Sequence, residues 1–334
     1  MMRLPTFVYH APRSVEEAVE VKRDAPPEAM YVAGGTDLYP NMKRRHQDPP
    51  ELIALHAVEG LGGIEPAADG GLSIGATTTL TEIARDRRVR EACPALAETM
   101  RLISTPILQN MGTIGGNLLL DTRCTYYDQN HDWRESIDFC MKKDGEICWV
   151  APASPRCWAV QSADSVPLLI AIGATVDLVG PDGERTVPVS ALYRDDGIVY
   201  LKKKRDELLT RVNLPASNGW RAVYRKVRRR GAFDFPVVGV GARVDVDEDG
   251  GVTDARVVLG GVGSAPIEVE GAAETLVEGG LQEEPIDAVV KAAWKAGRPL
   301  DNTDFTLSWR KQMIRPTVRR ALEALGRGEE GAAG

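Results

Sequence analysis

No stretch of this sequence carries 18 consecutive apolar residues, so it offers nothing long enough to cross a membrane as a helix. The start, MMRLPTFVYHAPRSVEEA, lacks the apolar core and small-residue cleavage site of a signal peptide. Excess positive charge is missing too: 41 Lys and Arg stand against 48 Asp and Glu, a net charge of −7. That balance argues against a nucleic-acid or anionic-membrane partner. Cysteine is scarce, at five in 334 residues. With no export signal the chain reads as cytoplasmic, where grouped cysteines serve more often as metal ligands or redox groups than as disulfides.

What is there is an ordinary globular mixture, 43% hydrophobic and 27% charged, in a chain long enough for two or three domains. SVEEAVEVKR predicts a helix, with Ser14 able to cap it and Glu17 three residues on. AMYVAGGTDL reads as a short buried strand running into a turn at Gly34 and Gly35. ELIALHAV and GLSIGATTTL read as strands, and residues 79–103 as a helical region broken at Pro94. VPLLIAIGATVDLVGPDGERTVPVSAL predicts helix, strand, Pro-Asp-Gly turn and strand. The pattern breaks at LPASNGW, which suggests a domain boundary. Beyond it, PVVGVGARVDVDEDGGVTDARVVLGGVG predicts a hairpin, and PIDAVVKAAWKAG and IRPTVRRALEAL predict helices. The Gly/Ala-rich end predicts a frayed tail. Strands and helices interleave without the rhythm of a doubly wound sheet, so the class is α+β.

Four of the five cysteines, Cys124, Cys140, Cys148 and Cys157, fall in one polar window. An even spread would leave about half a cysteine in a stretch of that length. The gaps of 15, 7 and 8 residues between them are wider than the close pairs of a structural zinc site. They suit an iron–sulfur cluster held by an irregular loop, without excluding zinc. Tyr126, Tyr127, Trp133, Trp149 and Trp158 are at hand to shield such a group. Cys93 is left as a bystander.

Adjacent glycines recur at Gly34-Gly35 (AGGTDL) and Gly115-Gly116 (GTIGGN). Glycine lets backbone amides approach a ligand without a Cβ in the way, and consecutive turn amides cradle phosphate oxygens. The hydroxyls of Thr36 and Thr113 and the amide of Asn117 add hydrogen bonds suited to a dinucleotide or flavin. Neither turn matches G-x-G-x-x-G or a P-loop, and a tight strand connection explains either one alone. The pair together predicts a dinucleotide site between two subdomains.

Taken in order, YVAGGTDLYPNMKRR, LSIGATTTLTEIA, GTIGGNLLLD, ADSVPLLIAIGATVDL, YRKVRRRGAFDFPVVGVGARV and VVLGGVGSAPIEVEGAAETL resemble the flavin subunits of the xanthine dehydrogenase family of molybdenum hydroxylases. The likeness runs from about residue 5 to 325. Ordinary flavin subunits of that family lack the cysteine window. GGNLLLDTRCTYYDQ followed by Cys140, Cys148 and Cys157 is similar to an insert in one branch, the β subunits of 4-hydroxybenzoyl-CoA reductases, which binds a [4Fe–4S] cluster.

The resemblance implies a vanillyl-alcohol-oxidase-type (PCMH-type) FAD-binding domain over 1–219, in subdomains of about 1–57 and 58–219. A cluster-binding insert would span about 122–162. A small C-terminal α+β domain, a three-stranded sheet with helices, would cover 220–325, and a flexible tail 326–334. Tyr31, Val32, Ala33, Gly34, Gly35, Thr36, Asp37 and Leu38 would wrap the FAD diphosphate. Thr113, Ile114, Gly115, Gly116 and Asn117 would form the second wall. Thr125, Asp164 and Lys226 would contact the flavin, and Cys124, Cys140, Cys148 and Cys157 would ligate the cluster. The residues alone give blander roles: an N-cap for Asp164, a solvated face for Lys226, and a solvated or partner-docking face for Arg228 to Arg230.

No catalytic residue is expected in this chain, since the family's substrate chemistry takes place at molybdenum in another subunit. Implied partners are that large molybdopterin subunit, a small subunit with two [2Fe–2S] clusters, and ferredoxin as electron donor, in a dimer of heterotrimers. The implied function is electron delivery for reductive dehydroxylation of a phenolic acyl-CoA. One alternative is the FAD subunit of an ordinary xanthine, CO or aldehyde dehydrogenase. A second, from another class, is a stand-alone flavoprotein or a zinc-stabilised binding module.

Overall fold

Residues 3–334 are described by a computed structural model. Short apolar runs near the start form a parallel three-stranded sheet in the order β1-β3-β2. It is built from β1 (Val8–His10), α1 (Val15–Asp24), β2 (Met30–Val32), α2 (Leu38–Lys43) and β3 (Glu51–Ala54). Ser14 caps α1 as expected, its Oγ accepting the Glu17 amide at 3.1 Å. Glu17 reaches past the cap to the Arg13 amide at 2.7 Å rather than closing a capping box.

The next unit holds β4 (Ile64–Pro66), β5 (Leu72–Gly75), α3 (Leu80–Arg85), α4 (Arg87–Ala92), α5 (Pro94–Leu102), α6 (Pro106–Gln109) and α7 (Ile114–Leu118). It continues through α8 (His131–Ser136), α9 (Ser165–Ala171), β6 (Thr175–Gly180), β7 (Gly183–Pro188) and β8 (Leu208–Leu214). Its strands make an antiparallel sheet in the order β4-β5-β8-β6-β7. The helical region breaks at Pro94 and once more at Asp86, whose carboxylate accepts the Arg88 and Val89 amides and starts α4.

Thr79 and Glu82 form a reciprocal capping box at α3. Thr79→Ala should therefore cost about 1 kcal/mol, read as a lowered denaturation midpoint with the fold unchanged by circular dichroism.

The last third comprises β9 (Arg221–Val227), β10 (Val238–Val246), β11 (Val252–Gly260), β12 (Ile267–Glu268), α10 (Ala272–Gly279), α11 (Glu283–Ala296), α12 (Leu307–Gly326) and β13 (Gly331–Ala333). β10 and β11 are the expected hairpin. The expected three-stranded sheet has five strands, in the order β12-β11-β10-β9-β13, because two short edges join the long ones. One of these edges corrects the expectation of a frayed tail. Residues 331–333 pair in parallel with β9, and the Ala332 amide donates to Glu98 at 2.6 Å.

Every residue of α9 is buried, because it is packed on both sides. A Cβ at Gly241 would lie 2.4 Å from the Pro167 carbonyl, and one at Gly260 2.5 Å from the Pro167 ring. The glycines in VVGVGARV and VVLGGVG thus let α9 lie directly on β10 and β11. The largest apolar core spans the second sheet, α3 to α5 and α9. A separate core fills the space between the C-terminal sheet and α10 to α12. Among the described residues no helix is long and apolar enough to cross a membrane.

Candidate functional site

Both glycine turns border one cleft of about 350 Å³. Residues 31–38 form one wall and Thr113, Gly115, Gly116 and Asn117 the other, with Asp164 also exposed to it. The walls meet so closely that a Cβ on Gly34 would lie 1.7 Å from the Met111 carbonyl oxygen, while Gly35 turns through φ +66°. Neither position tolerates a side chain.

The two turns differ in what they offer. The amides of Ile114, Gly115, Gly116 and Asn117 already donate to Thr78, Ala76 and Thr113. Among the described residues the amides of Gly34, Gly35 and Thr36 donate to no group of the chain. The first turn is therefore the one able to receive an anion, and the second is a fixed wall.

The remaining predicted contacts separate. Ile114 is fully buried in the main core. The Thr125 amide is used by the Asn302 carbonyl at 2.9 Å, and Thr125 does not border the cleft. Asp164 occupies the N-cap position of α9 but makes no cap hydrogen bond. Its carboxylate instead accepts from the Tyr224 hydroxyl at 2.9 Å and from Lys226 Nζ at 3.0 Å. Lys226 is not on a solvated face: its side chain is 0% exposed, and Nζ also donates to the Leu102 carbonyl at 3.0 Å. Lys226 therefore stands behind the cleft wall and touches it through Asp164.

Several cleft residues escaped the sequence reading. Arg123 lies 3.6 Å from Asp37 and 3.1 Å from Asp128, and stacks on the Phe235 ring at 4.1 Å. Burial pushes the Asp37 carboxyl up to about 6, against the pull of Arg123. Ser104 and Phe233 both border the cleft in left-handed backbone conformations, φ +55° and +71°. The Phe233 amide bonds the Ser104 carbonyl at 2.8 Å. Strain of this kind persists where surrounding structure imposes it, and it gathers at binding sites. Nothing in the residue types signals it.

Cys124, Cys140, Cys148 and Cys157 converge on a second, small cavity with Tyr126, Lys142 and Trp149 in its wall. All four are buried and unbridged, although the surrounding loop is polar and mostly irregular. Burial raises the Cys124 thiol to about 12 and the Cys157 thiol to about 11. Backbone amides turn toward the sulfurs, that of Ala159 lying 3.4 Å from Cys157 Sγ. Asp138 and Phe139, immediately before Cys140, and Asp144 after it all have positive φ. Trp133 is partly exposed, and Trp158 stacks with Arg156 at 3.6 Å rather than bordering the cavity. Among the described residues no three His, Cys, Asp or Glu side chains stand close enough to share one metal ion.

The loop is pinned from the C-terminal part. Asn302 Nδ2 donates to the Trp158 carbonyl at 2.6 Å, and its Oδ1 accepts from Arg310 at 3.0 Å. Arg310 is fully buried and also donates to the carbonyls of Leu300, Val237 and Gly261. In the basic run Arg228 bonds the Leu102 carbonyl, while Arg229 and Arg230 stay on the expected solvated face and pair there with Asp304 and Asp234.

A two-walled cleft with one anion-receiving turn has the form of a site for a phosphate-bearing ligand such as a dinucleotide. Comparison with known proteins narrows the class. Residues 5–217 match the FAD binding domain in molybdopterin dehydrogenase, and residues 222–325 the CO dehydrogenase flavoprotein C-terminal domain. The chain belongs to the FAD-binding subunits of the xanthine dehydrogenase and CO dehydrogenase family of molybdenum hydroxylases.

It is 29% identical to the aldehyde oxidoreductase FAD-binding subunit of Escherichia coli, covering 95% of this chain and 99% of that one. It is 28% identical to the carbon monoxide dehydrogenase medium chain of Hydrogenophaga pseudoflava, covering 96% and 97%. A solved structure of carbon monoxide dehydrogenase from Hydrogenophaga pseudoflava superposes with a TM-score of 0.80 at 26% identity, over 98% of this chain and 99% of that one.

Proposed function

We propose that this FAD subunit also carries a [4Fe–4S] cluster, and that it moves electrons between the two groups and partner subunits of a molybdenum enzyme. The observation that supports this reading is the convergence of four cysteines, spread over a polar loop, on one buried cavity beside the flavin cleft. Four-thiolate zinc sites are usually built from close cysteine pairs, and the gaps of 15, 7 and 8 residues here contain none. A cubane takes one thiolate per iron and suits a wider ring of sulfurs. When bound, FAD exchanges two electrons for single ones, and the cluster carries them singly.

The chain's own residues then have definite tasks. The amides of Gly34, Gly35 and Thr36 receive the diphosphate, residues 31–38 enclose it, and Thr113 to Asn117 hold the opposite wall. Asp164, fixed by Tyr224 and Lys226, presents a carboxylate to the cleft, while Cys124, Cys140, Cys148 and Cys157 ligate the irons.

Asp37 makes FAD affinity pH-dependent on this reading. Its carboxyl is raised to about 6, so it is protonated and neutral below that value and anionic above it. An anionic Asp37 repels the diphosphate, so FAD should bind several-fold more weakly at pH 7.5 than at pH 5. In Asp37→Asn that slope should flatten, as fluorescence titration of the deflavinated protein would reveal.

The proposed partners are a large molybdopterin subunit and a small subunit with two [2Fe–2S] clusters, in a dimer of heterotrimers. The finer reading has ferredoxin as donor and a phenolic acyl-CoA as acceptor. Two electrons and two protons would remove the ring hydroxyl as water at the partner's molybdenum. The named relatives favour the alternative, an aldehyde, CO or xanthine dehydrogenase sending electrons outward from FAD. The cysteine pocket favours the reductive route, since outward transfer from FAD does not require it.

Anaerobic purification with the products of neighbouring genes, followed by iron, zinc and flavin analysis, separates the two. About four irons per FAD in this subunit, with reduction of a phenolic acyl-CoA by reduced ferredoxin, supports the reductase. FAD without iron here, and oxidation of aldehydes or CO with an artificial acceptor, supports the dehydrogenase.

A further inference from the structure

An ion pair joins the flavin cleft to the cysteine cavity. Asp121 borders the cleft and Lys142 borders the cavity, and Lys142 Nζ lies 2.8 Å from Asp121 Oδ1. The pair is shielded, with 6% and 13% of its side chains exposed. Lys142 spends its remaining donors on Thr122 Oγ1 at 2.7 Å and the Gly197 carbonyl at 2.8 Å. Its ammonium lies over the rings of Tyr127 and Tyr200, at 4.9 and 5.7 Å. Gly197 continues the link, its amide donating to the Cys157 carbonyl at 3.0 Å. A Cβ there would sit 2.6 Å from Cys157 Sγ. On the other side the second oxygen of Asp121 accepts from Gln47 at 3.3 Å and the Tyr127 hydroxyl at 3.4 Å.

We propose that Lys142 and Asp121 are positioning residues forming a fixed dipole between the two redox sites, its positive end at the cluster and its negative end at the flavin. The inference rests on the cluster reading above. An electron arriving at the cluster adds one negative charge, which the buried ammonium of Lys142 stabilises and so raises the cluster's reduction potential. The carboxylate of Asp121 disfavours negative charge gained by the flavin and lowers its potential. Together they move the two potentials in opposite senses, the cluster's up and the flavin's down.

The test uses the assembled anaerobic complex, with iron and FAD counted before any redox titration. Lys142→Met should lower the cluster's one-electron equilibrium about tenfold, or about 59 mV. Lys142→Arg, which keeps the charge, should stay close to wild type. Asp121→Asn should move the flavin's two-electron couple the other way by about tenfold, or about 30 mV. Opposite signs at the two centres are a result that a merely structural contact would not give.

Cofactor contents at wild-type level with both potentials unmoved would overturn the proposal. So would loss of cofactor in both Lys142→Met and Asp121→Asn, which would mark the pair as a strut. A wild-type complex without iron would overturn the cluster reading and this inference with it, and metal analysis shows that before any potential is measured.

Discussion

Cys140→Ser is expected to empty the cysteine cavity of iron while leaving FAD in place. Serine is smaller and offers a hydroxyl that deprotonates far less readily than a thiol, so it makes a poor ligand to iron. The turn that carries Cys140 is held by its own backbone: the amides of Lys143 and Gly145 donate to the Cys140 carbonyl, and that of Met141 to Ile147. None of those bonds uses the sulfur, so the loop keeps its course. The cleft proposed for the flavin takes its walls from residues 31–38 and from Thr113, Gly115, Gly116 and Asn117, and Cys140 borders neither. Iron should therefore fall from about four per chain toward none, with FAD near one and the reduced-cluster EPR signal gone. FAD lost together with the iron would mean that the loop and the cleft stand or fall as one unit. One zinc per wild-type chain, released by the same substitution, would make the pocket structural and return the protein to the dehydrogenase reading.

Much of this arrangement was legible in the sequence because it rests on residues with few alternative uses. Paired glycines announce backbone that must pass close to something, and Gly34 does pass against the Met111 carbonyl. Four cysteines in a polar window announce a shared task, and the fold brings them to one cavity. The glycines of β10 and β11 were legible as strand residues but not as a seat for α9, since nothing local says which element will approach them. Asp164 and Lys226 read blandly as a cap and a solvated cation, because a charge in sequence is assumed to find water. Their burial depends on Tyr224, 60 residues from Asp164, and on α9 lying against β10. The tail was misread for the same reason: its Gly/Ala composition gives no sign that β9 leaves an open edge for residues 331–333. Ser104 and Phe233 were invisible altogether, because their left-handed backbone is imposed by tertiary contact.

Removing one half of the Asp164–Lys226 pair should be among the costliest single changes in this chain. The side chains are 3% and 0% exposed. Burial pushes the Asp164 carboxyl up and the Lys226 ammonium down, each opposed by the other's charge. Asp164→Asn leaves the ammonium with Leu102 and a neutral amide as partners, and Lys226→Met leaves the carboxylate with the Tyr224 hydroxyl alone. Stranding a buried charge in this way costs about 3–5 kcal/mol, enough to take a large share of a typical protein's stability. The double variant Asp164→Asn with Lys226→Met removes both charges, so it should recover a substantial part of the loss. Chemical denaturation of the four proteins in a double-mutant cycle measures that coupling. Additive losses would show that the two charges act independently. Flavin content reports a separate property, because Asp164 borders the cleft and Lys226 does not. Lys226→Met should reduce FAD binding only as far as it displaces the Asp164 carboxylate. If the double variant regains stability but not FAD, the Asp164 carboxylate acts on the flavin directly, with Lys226 serving to hold it there.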